Sequence, residues 1–142
     1  MGATKPEDWA ALCTEQIRRL NRAGFFPLTS LVLGMTGETE DDVRQTLEWV
    51  RSLRDDRVSI FPMLLTPVDG TTGPRMRDLS RLHWDLIKAC YRFNFRWVPR
   101  MYWDNQQAGG ISLGRRLLIQ GLGYGQVAQW NAFFAWHSAR AK

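Results

Sequence analysis

The chain has 142 residues, 44% of them hydrophobic and 23% charged, with a formal net charge of +5. These values belong to a globular protein and exclude a disordered or fibrous one. No apolar run approaches the ~20 residues that cross a bilayer. The start, MGATKPEDWAAL, lacks the basic stretch and apolar core of a signal peptide. Cys13 and Cys90 are 77 positions apart and make neither a CxxC pair nor a zinc site by themselves. Free thiols and a cytoplasmic location are the expectation.

The charge is divided unevenly. Residues 1–74 carry 8 basic and 11 acidic side chains, whereas residues 75–142 carry 11 basic and 3 acidic ones. Twelve of the 17 aromatic residues also fall in the second segment. Two unlike segments are therefore expected, 1–74 and 75–142, meeting at the turn-rich stretch from Pro67 to Pro74. Arginine outnumbers lysine 16 to 3. That bias favours bidentate anion contacts, although the base composition of a gene produces it equally well.

Pro6, Glu7 and Asp8 suit the first turn of a helix. Trp9, Leu12, Cys13, Ile17 and Leu20 continue it at helical spacing, and Gly24 closes it. From Pro27 to Met35 the chain is apolar without alternation, the pattern of a strand buried on both faces. Thr39 is a good N-cap, with Glu40, Asp41 and Asp42 in the first turn of a helix to Leu53. Val58 to Leu65 reads as a second strand, where Pro62 implies a bulge or an edge. A strand–helix–strand unit of this length implies a parallel, right-handed pair. Two such strands alone would leave exposed apolar edges. The pattern therefore points to part of a larger α/β barrel, or to cover supplied by the second segment.

In that second segment Leu79, Leu82, Leu86, Cys90 and Phe93 form a helical stripe from about Asp78 to Phe93. Cys90 reads as inert packing. His83 reads as a structural or surface residue, with no acid or histidine at ligand spacing, and His137 is similarly unaccompanied. Phe95 to Trp103 interleaves aromatics with Arg96 and Arg100. It reads as an extended linker packing its aromatics onto a barrel, with substrate contact or nucleic-acid stacking as the alternatives. Leu113 to Ile119 is a short helix candidate and Gly121 to Gly125 a hinge. Val127, Trp130, Phe134 and His137 return to helical spacing. This aromatic tail suits packing against a barrel or lying on a membrane surface.

The stretch Leu31-Val32-Leu33-Gly34-Met35-Thr36-Gly37-Glu38-Thr39 places two glycines, an acid and a helix cap at a strand end. Glycines admit close approach, and free helix amides point above the strands, where α/β barrels carry their sites. This run resembles the G-x-P-G-E-T pattern in the later half of the radical SAM barrel, most closely in the cobalamin-binding branch. Val58 to Thr71 resembles the next strand and its loop, and Arg22 to Phe26 the lead-in one element earlier. The resemblance spans about residues 6–72. Thr36 stands where the family has proline, and the family's C-x-x-x-C-x-x-C motif is absent.

The resemblance implies an α/β fold: a partial (β/α) barrel over 1–74, followed by a mainly helical C-terminal extension. It implies that the chain is the C-terminal part of an enzyme that cleaves S-adenosyl-L-methionine (SAM) reductively at a [4Fe–4S] cluster, with cobalamin as a further cofactor. The adenosyl wall would fall to Val32, Gly34, Phe61 and Met63, and Glu38 would set the loop. Arg96, Trp97, Arg100 and Tyr102 are the candidates for contacting a small-molecule substrate. No residue is assigned to catalysis or to metal ligation, so the chain alone is expected to be inactive. The missing N-terminal barrel half is its expected partner, and nucleic acid is not. A small basic module binding RNA or an anionic membrane is the competing expectation.

Overall fold

A computed structural model describes residues 8–66 and 72–141. The elements run α1 (Trp9–Arg22), β1 (Leu28–Leu33), α2 (Glu40–Ser52), β2 (Ser59–Leu64), a single 3-10 turn (Met76–Asp78), α3 (Arg81–Ala108) and α4 (Leu113–Arg140). The helix–strand–helix–strand order expected for the first segment is present. Pro6, Glu7 and the loop from Pro67 to Thr71 lie outside the described residues.

β1 and β2 pair in parallel, with Leu28 opposite Ser59 and Leu33 opposite Leu64. Thr39 caps α2 as a full capping box: its Oγ1 accepts from the Asp42 amide, and the Asp42 carboxylate accepts from the Thr39 amide at 2.9 Å. This is the reciprocal arrangement that satisfies two otherwise orphaned donors. α1 docks on α2 through Trp9 and Trp49, whose rings meet edge to face at 5.0 Å. The Trp49 indole N–H donates to Thr14 Oγ1 and to the Ala10 carbonyl.

Val43, Leu47 and Val50 of α2 join Leu86, Cys90 and Phe93 of α3, Leu33 of β1 and Ile60 of β2 in one buried core. The first turn of α3 and the last turns of α4 extend it, through Trp84 and Phe134. The two strands therefore differ face by face. Leu33 and Ile60 are buried, whereas Leu28, Val32, Phe61 and Met63 are exposed. β1 does not read as a strand covered on both sides, because its second face is open. β2 shows no bulge at Pro62, which sits in register opposite Leu31.

Asn94 of α3 covers the outer side of β2. Its Oδ1 accepts from the Ile60 amide at 2.9 Å and from Ser59 Oγ at 2.6 Å, and its Nδ2 donates to the Ile60 carbonyl at 2.9 Å. One side chain thus replaces one rung of a missing strand. Buried backbone groups need such partners.

The second segment departs from expectation in two places. Phe95 to Trp103 is helical rather than extended, and Pro99 lies inside α3. A proline costs one backbone bond and kinks a helix, but helix on both sides and packed aromatics carry the chain through. Gly121 to Gly125 is not a hinge, since α4 runs through it without a break. Each glycine costs only about 1 kcal/mol relative to alanine. Trp130, Phe133 and Phe134 anchor the following turns against Tyr91 and Trp84 of α3. Among the described residues no helix is long and apolar enough to cross a membrane.

The two thiols differ. Burial pushes the Cys90 thiol up to about 12, while Cys13 is half-buried. A thiol must ionise to react. Iodoacetamide at mildly alkaline pH is therefore expected to label Cys13 alone in the folded chain, and both cysteines in denaturant. Peptide mass mapping checks this; rapid native labelling of Cys90 would contradict the packing of α3.

Candidate functional site

The open face of the sheet is built by register. Val32 pairs with Met63 and Ser30 with Phe61, so the alternation of two adjacent strands puts Leu28, Val32, Phe61 and Met63 on one side. Val32 is 43% exposed and Met63 49%. Three of the four residues expected to form an adenosyl wall, Val32, Phe61 and Met63, thus share one apolar surface.

Gly34 and Glu38 stand at the end of that face, beyond the last residue of β1. Gly34 adopts φ +76°, a left-handed conformation that costs any side-chain-bearing residue about 1–2 kcal/mol. A Cβ on Gly34 would also overlap the rigid ring of Pro74. Gly34→Ala is therefore expected to lower stability by about 2–3 kcal/mol. Gly37→Ala, at φ +85° with open space around it, should incur the backbone cost alone. Urea denaturation of the two variants checks the difference, and equal losses would mean that Pro74 does not pack on Gly34.

Glu38 is held from two sides. Its Oε2 accepts from the Gly34 amide at 2.9 Å and lies 3.0 Å from His83 Nε2. His83 Nδ1 is 2.8 Å from Ser80 Oγ, and that same hydroxyl caps α3. Both Glu38 and His83 are mostly buried, with about a sixth of each side chain exposed. The second segment is thereby fastened to the β1–α2 loop. The expectation that no acid accompanies His83 is corrected here: its partner lies 45 positions earlier in the chain, beyond the reach of any local spacing rule.

Arg96, Trp97, Arg100 and Tyr102 do not join this group. Arg96 and Arg100 lie over the Trp97 ring at 4.9 and 5.5 Å, together with Arg57 at 5.8 Å. Arg57 and Phe26 precede the two strands and share a cavity with Trp97 and Arg100. This cluster therefore sits at the opposite end of the sheet from Gly34, about 20 Å away for six-residue strands. Tyr102 lines a separate groove of about 1050 Å³, with Leu28 and Phe61 on one wall and Gly121, Gly123 and Gly125 of α4 on another. Through Leu28 and Phe61 that groove continues the open face. Sequence spacing could not show that Arg57 belongs with Arg96 and Arg100.

Among the described residues no group of three or more His, Cys, Asp or Glu side chains could hold a metal ion. Cys13 and Cys90 are both free, and they lie on different helices. Among the described residues the side chains do not fit an iron–sulfur cluster. The open face presents exposed apolar side chains that end at a glycine turn, where the backbone can be closely approached.

Comparison with known proteins gives a short likeness. Over 48 residues the chain is 38% identical to the ribosomal protein uS12 methylthiotransferase RimO of two strains of Leptospira biflexa serovar Patoc. The match takes in 34% of this chain and 10% of each relative, so the chain spans about a tenth of their length. No family model matches the chain, and no solved structure does.

Proposed function

We propose that this chain is the C-terminal part of a radical SAM enzyme, in which β1, α2 and β2 form the last units of a partial (β/α) barrel and residues 75–142 a helical extension. The observation that carries this reading is the open sheet face. Val32, Phe61 and Met63 lie side by side on it, ending at the left-handed turn of Gly34. Isolated proteins rarely leave two adjacent strands uncovered on one side and along one edge. The likeness to the uS12 methylthiotransferases supports a radical SAM relationship and does not reach the cobalamin branch.

Within that reading, the chain's own residues bind and position. Val32, Phe61 and Met63 give an apolar wall for an adenine ring and ribose. Gly34 lets the backbone come close, while Glu38, held by His83, fixes the loop that carries it. SAM bound to an iron–sulfur cluster supplies the radical chemistry in such an enzyme. The cluster ligands are not among these residues, so no step is assigned to this chain alone. The missing barrel half would complete the pocket and cover the open face and the free side of β1. Tyr102 lines the groove that prolongs the open face, and it would contribute there to a substrate wall.

The test is a titration of the chain with SAM, followed by amide chemical shifts. Shift changes are expected at Val32, Gly34, Phe61 and Met63 and not at Trp97. Val32→Asp with Met63→Asp, at exposed positions, should abolish them without unfolding the chain. Changes elsewhere, or unchanged shifts at saturating SAM, would overturn the assignment of the wall.

A further inference from the structure

Arg57, Arg96 and Arg100 converge on one indole, and among the described residues none of the three makes an ion pair. Arg18, Arg44, Arg54 and Arg77, by contrast, each have a carboxylate beside them, as Arg18 has Asp56. A guanidinium lying over an aromatic face is oriented by the ring while its edge donors stay free. The cluster is also firmly placed. The Arg57 amide donates to Asn21 Oδ1 at 2.9 Å, and its carbonyl accepts from Asn21 Nδ2 at 2.8 Å. Arg96 donates to the Arg54 carbonyl at 2.9 Å. Beside the indole lies a cavity of about 470 Å³ walled by Phe26, Met101, Asp104 and Asn105 as well as Arg57 and Arg100. The Trp97 ring lines that cavity, and its indole N–H is buried with no hydrogen-bond partner. Arg92 stands one turn before Arg96 at the same helical spacing. From Leu86 to Trp103 α3 carries four basic residues and no acid.

We propose that Arg57, Arg96 and Arg100, gathered round Trp97, form a phosphate-binding site that takes the backbone of a single-stranded RNA segment along α3. Arg92, Arg96 and Arg100, each about one turn from the next along α3, extend the cluster at Trp97 into a line that suits a chain of phosphates. The aromatic and apolar walls, Phe26, Trp97 and Met101, suit bases turned toward the cavity. The site faces away from the Gly34 loop, so it is a docking surface and not part of the proposed SAM wall. It does not depend on the radical SAM reading.

The experiment is fluorescence anisotropy of a labelled short oligouridylate with the full 142-residue chain. Three neutralised phosphates on a single strand give a slope of log K against log salt of about −2, or roughly twentyfold weaker binding between 50 and 200 mM salt. Arg57→Gln, Arg96→Gln and Arg100→Gln together should abolish binding and flatten the slope. Arg100→Lys, which keeps the charge and loses the fork, should weaken it partially. Arg44→Gln, an exposed arginine on α2 paired with Asp41, should leave it unchanged. Circular dichroism confirms that the exposed substitutions leave the fold intact. Three outcomes overturn the proposal: equal binding by the triple variant, displacement by uridine monophosphate or inorganic phosphate at equal phosphate concentration, and preference for phosphatidylserine vesicles over the oligonucleotide.

Discussion

Asn94→Leu is expected to destabilise the fold by about 3 kcal/mol, although leucine is close in size and more apolar. The reason is the number of groups that one carboxamide serves. Ser59 Oγ, the Ile60 amide and the Ile60 carbonyl all bond to it, and residues 59, 60 and 94 are all buried. An unpartnered buried donor or acceptor costs about 1–3 kcal/mol, and removing one partner here leaves three. Some of that is recovered by added apolar burial and by small shifts of α3. Asn94→Asp should also destabilise the fold: it keeps the acceptor for Ser59 and the Ile60 amide, but it buries a charge and sets a carboxylate oxygen against the Ile60 carbonyl. Urea denaturation measures both. A loss below about 0.5 kcal/mol for Asn94→Leu, the range of ordinary surface substitutions, would mean that β2 is not sealed by α3.

Trp84→Ala should cost more, about 3–5 kcal/mol. Trp84 is among the largest fully buried side chains, and it holds the end of α4 to α3. Its ring stacks on His137 at 4.9 Å and meets Phe133 and Phe134 at 6.4 and 6.5 Å. The cavity left by alanine would lie between α3 and the aromatic residues of α4 within one buried core, so collapse can refill little of it. Because Trp84 is also the joint between the two long helices, the loss should be uneven. Amide exchange is expected to quicken first in α4 and only later in α2. Uniform quickening would place the joint elsewhere, and Trp84→Phe should retain most of the protection.

The first segment was legible because its signals are local. Thr39 with three acids after it marks a helix start, and apolar runs of strand length bounded by turn residues mark β1 and β2. What local patterns could not give was the openness of the second sheet face: Val32 and Met63 are as apolar as Leu33 and Ile60, and composition does not say which neighbour is absent. The second segment was legible in its stripes and misread at its breakers. Pro99 and the glycines from 121 to 125 are helix-breaking by propensity, yet tertiary contacts on both sides keep α3 and α4 continuous. The Glu38–His83 contact and the grouping of Arg57 with Arg96 and Arg100 each join residues about 40 positions apart. No spacing rule reaches that far. Asn94 was likewise invisible: an asparagine in a helix reads as a surface residue until a strand edge is seen beside it.

The central claim is that the open sheet face is the wall of a larger SAM-binding barrel. The most direct measurement is to read the native transcript upstream of the Met1 codon and weigh the protein that the source cell makes from it. The account expects an in-frame extension encoding C-x-x-x-C-x-x-C, and a correspondingly larger product. A stop codon shortly upstream, with a product of 142 residues and no second chain bearing that motif bound to it, would contradict the account.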